Sequence, residues 1–158
     1  MDRAKAEILI TNIANFNGVD PDLAIAIAAA ESNFDEFAVR HEPGWRWFLD
    51  IEGYAARNRI SQDTERMLQA CSFGLLQVMG TVAREVGFKD NLLMLTRPEI
   101  AIKYGCFKIQ ELMKRFSKTE DLVSAYNMGT PKKMPDGVTY INNHYVQKVM
   151  GEYRGRKQ

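Results

Sequence analysis

The sequence predicts a mainly α fold with at most a small β-hairpin, and three observations carry that reading. Thr96-Arg-Pro-Glu99 has the pattern of a capping box with proline in the first turn, and Ile102, Cys106, Ile109, Met113 and Phe116 follow it at steps of four and three. Asp20-Pro21 opens a second helix made almost wholly of Leu23, Ile25, Ile27 and alanines, so apolar that burial on all sides follows. Alternating strand patterns are scarce along the whole chain.

Taken in order, residues 3–16 place Ile8, Leu9, Ile13 and Phe16 at helical spacing and read as a packing helix that Asn17-Gly18 ends. The apolar helix then runs to Glu31-Ser32. Residues 33–44 read as a loop anchored by Phe34, Phe37 and Val39, with a turn at Pro43-Gly44. Trp45, Trp47, Phe48 and Tyr54 crowd into the next ten residues. Such rings either stack on sugars or form the small core of an inserted helical flap, and apolar clusters are more often core. Ser61 or Asp63 caps a short helix to Ala70, and residues 71–80 fit a hairpin or a loop. Thr81–Val86 is a turn or two of helix closed at Gly87. The capping-box helix is the central one and runs to about Phe116. Thr119 caps the next, which Gly129 and Pro131 stop. A last helix from about Thr139 carries Ile141, Tyr145, Val149 and Tyr153, and residues 154–158 read as a solvated tail.

At 158 residues the chain suits one domain, with a core of about 20–150 and an insert of about 40–70. Twenty-one basic against 20 acidic residues leave no global field to recruit nucleic acid or anionic lipid, so any partner is chosen by a local site. Cys71 and Cys106 lack metal-ligand spacing and read as free buried thiols, with a single disulfide between them left open. The N-terminal residues lack the pattern of a signal peptide, and no stretch reaches the length of a membrane span. Synthesis in the cytoplasm, as a monomer without cofactor or metal, is the expectation.

The chemistry centres on Glu31. A carboxyl at the last turn of a buried helix meets both the negative end of the helix dipole and a poor solvent for charge, and each favours its protonated form. That is what a general acid working near neutral pH needs. For a lone Glu, the plainer reading is a helix end that reaches water. His41 and His144 adjoin no nucleophile motif, and the zinc-protease, phosphate-loop and dinucleotide patterns are absent. Polar islands remain at Gln77, Tyr126-Asn127 and Tyr145. Each has a structural explanation as well: a satisfied backbone group, a helix end, a half-buried ring with a wet hydroxyl.

In order, however, Ala30-Glu31-Ser32 with Phe34 and Ala38, Ser72-Phe-Gly-Leu-Leu-Gln-Val-Met79, Pro98-Glu99 with Gly105, Ala125-Tyr-Asn-Met-Gly129, and Tyr145-Val146 with Val149 resemble the successive motifs of the soluble lytic transglycosylases. That family shares a lysozyme-like domain with goose-type lysozymes. The resemblance spans roughly residues 20–150, and the wording around Gln77–Gly80 and Ala83–Phe88 is most similar to the phage and prophage branch.

The resemblance implies a lysozyme-like helical domain with peptidoglycan glycan strands in a groove and Glu31 as the single acid and base. Gln77 and Met79 line the sugar site, Tyr126 and Asn127 wall it, and the Tyr145 hydroxyl holds the Glu31 carboxyl. Ser32 and Arg40 are further supporting positions, Arg40 standing nine residues after the acid where many members have a serine that contacts the N-acetyl group. Leu76 replaces a usual Met and Met128 a usual small residue. The implied reaction cleaves MurNAc-β-1,4-GlcNAc, closes a 1,6-anhydro ring and consumes no water. The alternatives are a hydrolytic muramidase that positions water with Asp35, Glu42, Asp50 or Glu52, and a non-catalytic cell-wall-binding virion module. Work on the cell wall requires delivery by a lysis system or a virion.

Overall fold

The computed structural model describes residues 1–158 and is mainly helical. Helices α1 (Arg3–Phe16) and α2 (Pro21–Glu31) come first, followed by strand β1 (Val39–His41). Helices α3 (Ile51–Asn58) and α4 (Gln62–Gln69) lead to β2 (Cys71–Phe73) and β3 (Val78–Met79). Helix α5 (Gly80–Glu85) and a 3-10 turn at Leu92–Thr96 precede α6 (Pro98–Arg115), α7 (Thr119–Met128) and α8 (Asn143–Arg156).

Helix α2 is buried because nothing in it resists burial: every residue from Leu23 to Ala28 lies in the core. It is packed between α1 and α8, while α6 packs against α1 and α7 and buries Ala101, Ile102, Cys106, Ile109 and Leu112. Thirty-three buried hydrophobic residues form one contiguous cluster. Each large aliphatic side chain in it contributes about 1.5–3 kcal/mol of transfer free energy. The polar start of α2 is fixed at the surface. Asp20 accepts from the Asp22 amide at 3.0 Å and from the Tyr153 hydroxyl at 2.7 Å, which joins α2 to the end of α8.

The small sheet is antiparallel in the order β1-β2-β3, pairing Val39 with Phe73, Arg40 with Ser72, and Phe73 with Val78. Between β2 and β3 the chain turns at Gly74–Gln77 and presses Leu76 against Gly105 of α6. A methyl group at Gly105 would fall inside the Leu76 side chain, so the approach of hairpin to helix requires glycine there.

Several sequence expectations need correction. Helix α1 buries Ala6, Ile10 and Ala14, while Ile8 is exposed and Phe16 is 91% exposed. In segment 33–44 only Phe34 anchors. Phe37 is 73% exposed, and Val39 lies on an exposed strand rather than in a loop. Thr96 does not cap α6, because its hydroxyl donates instead to the Leu93 carbonyl inside the 3-10 turn, leaving Arg97 at the cap. Lys118, not Thr119, stands at the cap of α7. On α6 the inward position is Leu112, and Met113 is exposed.

Helix α8 starts at Asn143 rather than near Thr139, and Ile141 faces solvent. Tyr140 is drawn into the core with its hydroxyl on Asp121 at 2.7 Å, so the preceding residues belong to the loop. The C-terminal residues are not a free tail. Arg156 pairs with Glu7 and Asp22, and Lys157 pairs with Asp20 and Asp22.

The insert is organised around charge, which the sequence reading missed. Glu65 and Arg84 are fully buried and joined by two parallel hydrogen bonds of 3.0 Å. Arg84 also donates to the Phe88 and Asp90 carbonyls and lies 4.1 Å from the Tyr54 ring centroid. Gln69 donates to Glu65 and ties down both backbone groups of Leu49. The Trp45–Leu49 segment is therefore held by polar ties rather than by a core of its own rings, and Trp47 is 69% exposed.

Candidate active site

Glu31 ends α2, where the buried helix emerges beside the hairpin and α8. Three ties set that junction. The Ser32 hydroxyl donates to the Leu75 carbonyl at 2.8 Å, fixing the hairpin turn to the end of α2. The Tyr126 hydroxyl donates to the Leu76 carbonyl at 2.7 Å, fixing the same turn to α7. Asn142 bridges Ser124 and Asn127 at the end of α7, and α8 begins one residue later. Tyr145 thereby arrives at Glu31, its hydroxyl donating to Oε1 at 2.7 Å across 114 residues of sequence.

In front of Glu31 lies a polar recess of about 340 Å³ lined by Arg40, Glu42, Trp45, Trp47, Ser72, Gln77, Met79, Lys108, Tyr126 and Asn127. It continues between α5, α6 and α7 as a larger, more apolar groove of about 910 Å³, and Trp45, Met79, Lys108, Tyr126 and Asn127 belong to both parts. Trp45 and Trp47 meet edge to face at 5.4 Å, and the Trp45 indole N–H reaches Thr81 at 3.1 Å. A long groove with aromatic walls and a few polar groups suits a sugar chain, whose apolar faces stack and whose hydroxyls pair.

The electrostatics follow from burial. Burial raises the Glu31 pKa above the ordinary carboxyl value, against the opposing pull of the Tyr145 hydroxyl and of Lys108, Arg40 and Lys148. Burial, and then the charge of Glu31, push the Tyr145 hydroxyl well above its ordinary value, so it stays a donor. Burial also brings Lys108 down to about 8, although Glu31 works the other way.

Of the residues singled out in the sequence, Glu31, Arg40, Gln77, Met79, Tyr126 and Asn127 line the recess, while Ser32 and Tyr145 stand behind it. Gln77 is fully engaged: its amide donates to the Ala38 and Gly74 carbonyls at 3.0 Å and its oxygen accepts from Ser72. It shapes the turn, holding a left-handed φ of 44°. The sequence assigns no role to Lys108 and favours a flap core over sugar stacking for Trp45 and Trp47, which line the recess. A signal for Lys108 existed, because on α6 it lies three residues after Gly105, the position that meets the hairpin, and so shares its face.

Residues 8–145 match the transglycosylase SLT domain family. The chain belongs to that family. Members of the SLT family are lytic transglycosylases acting on peptidoglycan, and the mainly helical fold with its three-stranded sheet agrees with a lysozyme-like domain. Among curated proteins the SLT chain is similar to Protein IpgF of Shigella sonnei, 26% identical over 131 residues that span 80% of this chain and 70% of that protein. No helix is long and apolar enough to cross a membrane.

Proposed function

We propose that the chain cleaves the MurNAc-β-1,4-GlcNAc bond of peptidoglycan and forms 1,6-anhydroMurNAc, with Glu31 first as acid and then as base. The observation that carries this reading is the asymmetry of the Glu31 carboxyl. Oε1 accepts from Tyr145, and Oε2 has no protein partner. A donor on Oε1 leaves the acid proton on Oε2, in a residue that lines the groove.

In the first step Oε2 gives its proton to the glycosidic oxygen, and the GlcNAc leaves with a new 4-hydroxyl. The 2-acetamido oxygen of MurNAc supports the anomeric carbon while the bond breaks, taking the place of the second carboxylate of ordinary glycosidases. The C6 hydroxyl then bonds to C1 and its proton returns to Glu31. The acid is regenerated within one sugar. Leu75 and Leu76 are fully buried beside the acid-bearing helix end, and the tight hairpin turn they form favours exclusion of a competing water. Tyr145, kept protonated, orients Glu31 in both steps.

One observation keeps a hydrolytic muramidase as the second reading. Glu42 lines the same recess as Glu31, although it is engaged by Arg40 at 2.6 Å. Asp50 and Asp35 are occupied elsewhere, accepting from the Gly53 and Phe37 amides. Glu31→Gln is expected to keep the fold and abolish clearing of purified sacculi, and clearing at the normal rate would show that another group supplies the proton. Delivery to the cell wall by a lysis system or a virion fits the substrate.

A further inference from the structure

Three cations act on Glu31, and two of them are already occupied. Arg40 donates to Glu42 at 2.6 Å, and Lys148 donates to the Ala30 carbonyl at 2.9 Å. Lys108 has no hydrogen-bond or ion-pair partner in the protein. Its ammonium lies over the Tyr126 ring, 3.7 Å from the centroid, where the polar recess opens into the larger groove.

Holding a charge there costs desolvation free energy that an apolar residue would avoid, and the ring face returns only part of it. Glu31 does not supply the missing partner, because its Oε1 is taken by Tyr145 and no ion pair joins it to Lys108. An anion brought by the ligand would complete the site.

We propose that Lys108 is a specificity-determining residue whose ammonium takes a carboxylate carried by the glycan strand. This rests on the peptidoglycan reading above. Among the sugars of such a strand, only muramic acid carries that group: its lactyl substituent ends in a free carboxylate on peptide-free strands and in an amide where a stem peptide is attached. Stem peptides bring carboxylates of their own. A strand of the same length with every carboxyl amidated keeps the shape and loses the charge.

The test is equilibrium binding to the full chain carrying Glu31→Gln, which removes turnover. Three strands of equal length are compared: peptide-free with free lactyl carboxylates, the same strand amidated with methylamine, and stem-bearing. The free-carboxylate strand is expected to bind on the order of tenfold tighter than the amidated one, as a charge-assisted contact implies. Adding Lys108→Met is expected to make the two equal, and Lys108→Arg to keep the preference. Stem-bearing strands that bind like the amidated ones assign the carboxylate to the lactyl group, and tighter binding assigns it to the peptide. Equal affinity for all three strands in the Glu31→Gln protein leaves the peptidoglycan reading standing and overturns the role of Lys108, as does a preference that survives Lys108→Met. If no strand binds, both readings fall.

Discussion

Glu31 and Tyr145 act as one unit, and their coupling sets the pH behaviour. Because burial raises the Glu31 pKa, the fold binds this proton more tightly than the unfolded chain does. Stability from this group is then complete below the unfolded carboxyl value and is lost as pH rises through the folded one. Glu31→Gln should therefore melt higher than the parent at pH 7–8, by on the order of 1 kcal/mol, and the gain should vanish near pH 4. Thermal melts across that range check it. The Tyr145 hydroxyl bonds the ionised carboxylate and pulls its pKa down, so Tyr145→Phe lets it rise further. We expect that variant to lose about tenfold in kcat/KM and to carry its alkaline limb to higher pH, as a pH–rate profile would show. An unmoved limb would mean that the hydroxyl does not act through Glu31. At this scale the sequence was informative about the acid, whose apolar helix announces a buried carboxyl. For Lys108 it offered only the spacing from Gly105, since a lysine on an amphipathic helix reads as surface until the facing hairpin is known.

Elements were legible wherever local chemistry decided them. Asp20, Pro21 and the alanines fix α2 by themselves, and Gly129, with φ of 79°, ends α7 where the sequence placed its stop. Boundaries failed where a competing partner intervened. Thr96 bonds back into the 3-10 turn, and Tyr140 is claimed by the core before α8 begins. The insert was misread because its organiser is a buried ion pair, which hydrophobic patterning does not reveal. Arg84→Met should cost about 3–5 kcal/mol by stranding Glu65, and pairing it with Glu65→Leu should recover much of that loss, measured as urea midpoints. Gly105→Ala should also destabilise, by about 1–3 kcal/mol, because Leu76 fills the space its methyl needs and the hairpin must back away from α6. A neutral Gly105→Ala would mean that the hairpin yields freely, and then the turn could not hold its place beside Glu31.

Over the whole molecule, the balanced charge of 21 basic and 20 acidic residues leaves recognition to the groove, where recess and apolar trough share Trp45, Met79, Lys108, Tyr126 and Asn127. Most of that wall comes from chain segments far apart in sequence. Spacing alone could not assemble it, and the order of the family motifs could. What the assembly is for turns on the fate of one proton: returned to Glu31 from the sugar's own C6 hydroxyl, or replaced by one from water. Mass spectrometry of the muropeptides released from native sacculi reads that difference directly. The expected products end in 1,6-anhydroMurNAc, one water lighter than reducing ends; reducing ends alone would contradict the ring-closing step and assign the site to a hydrolase.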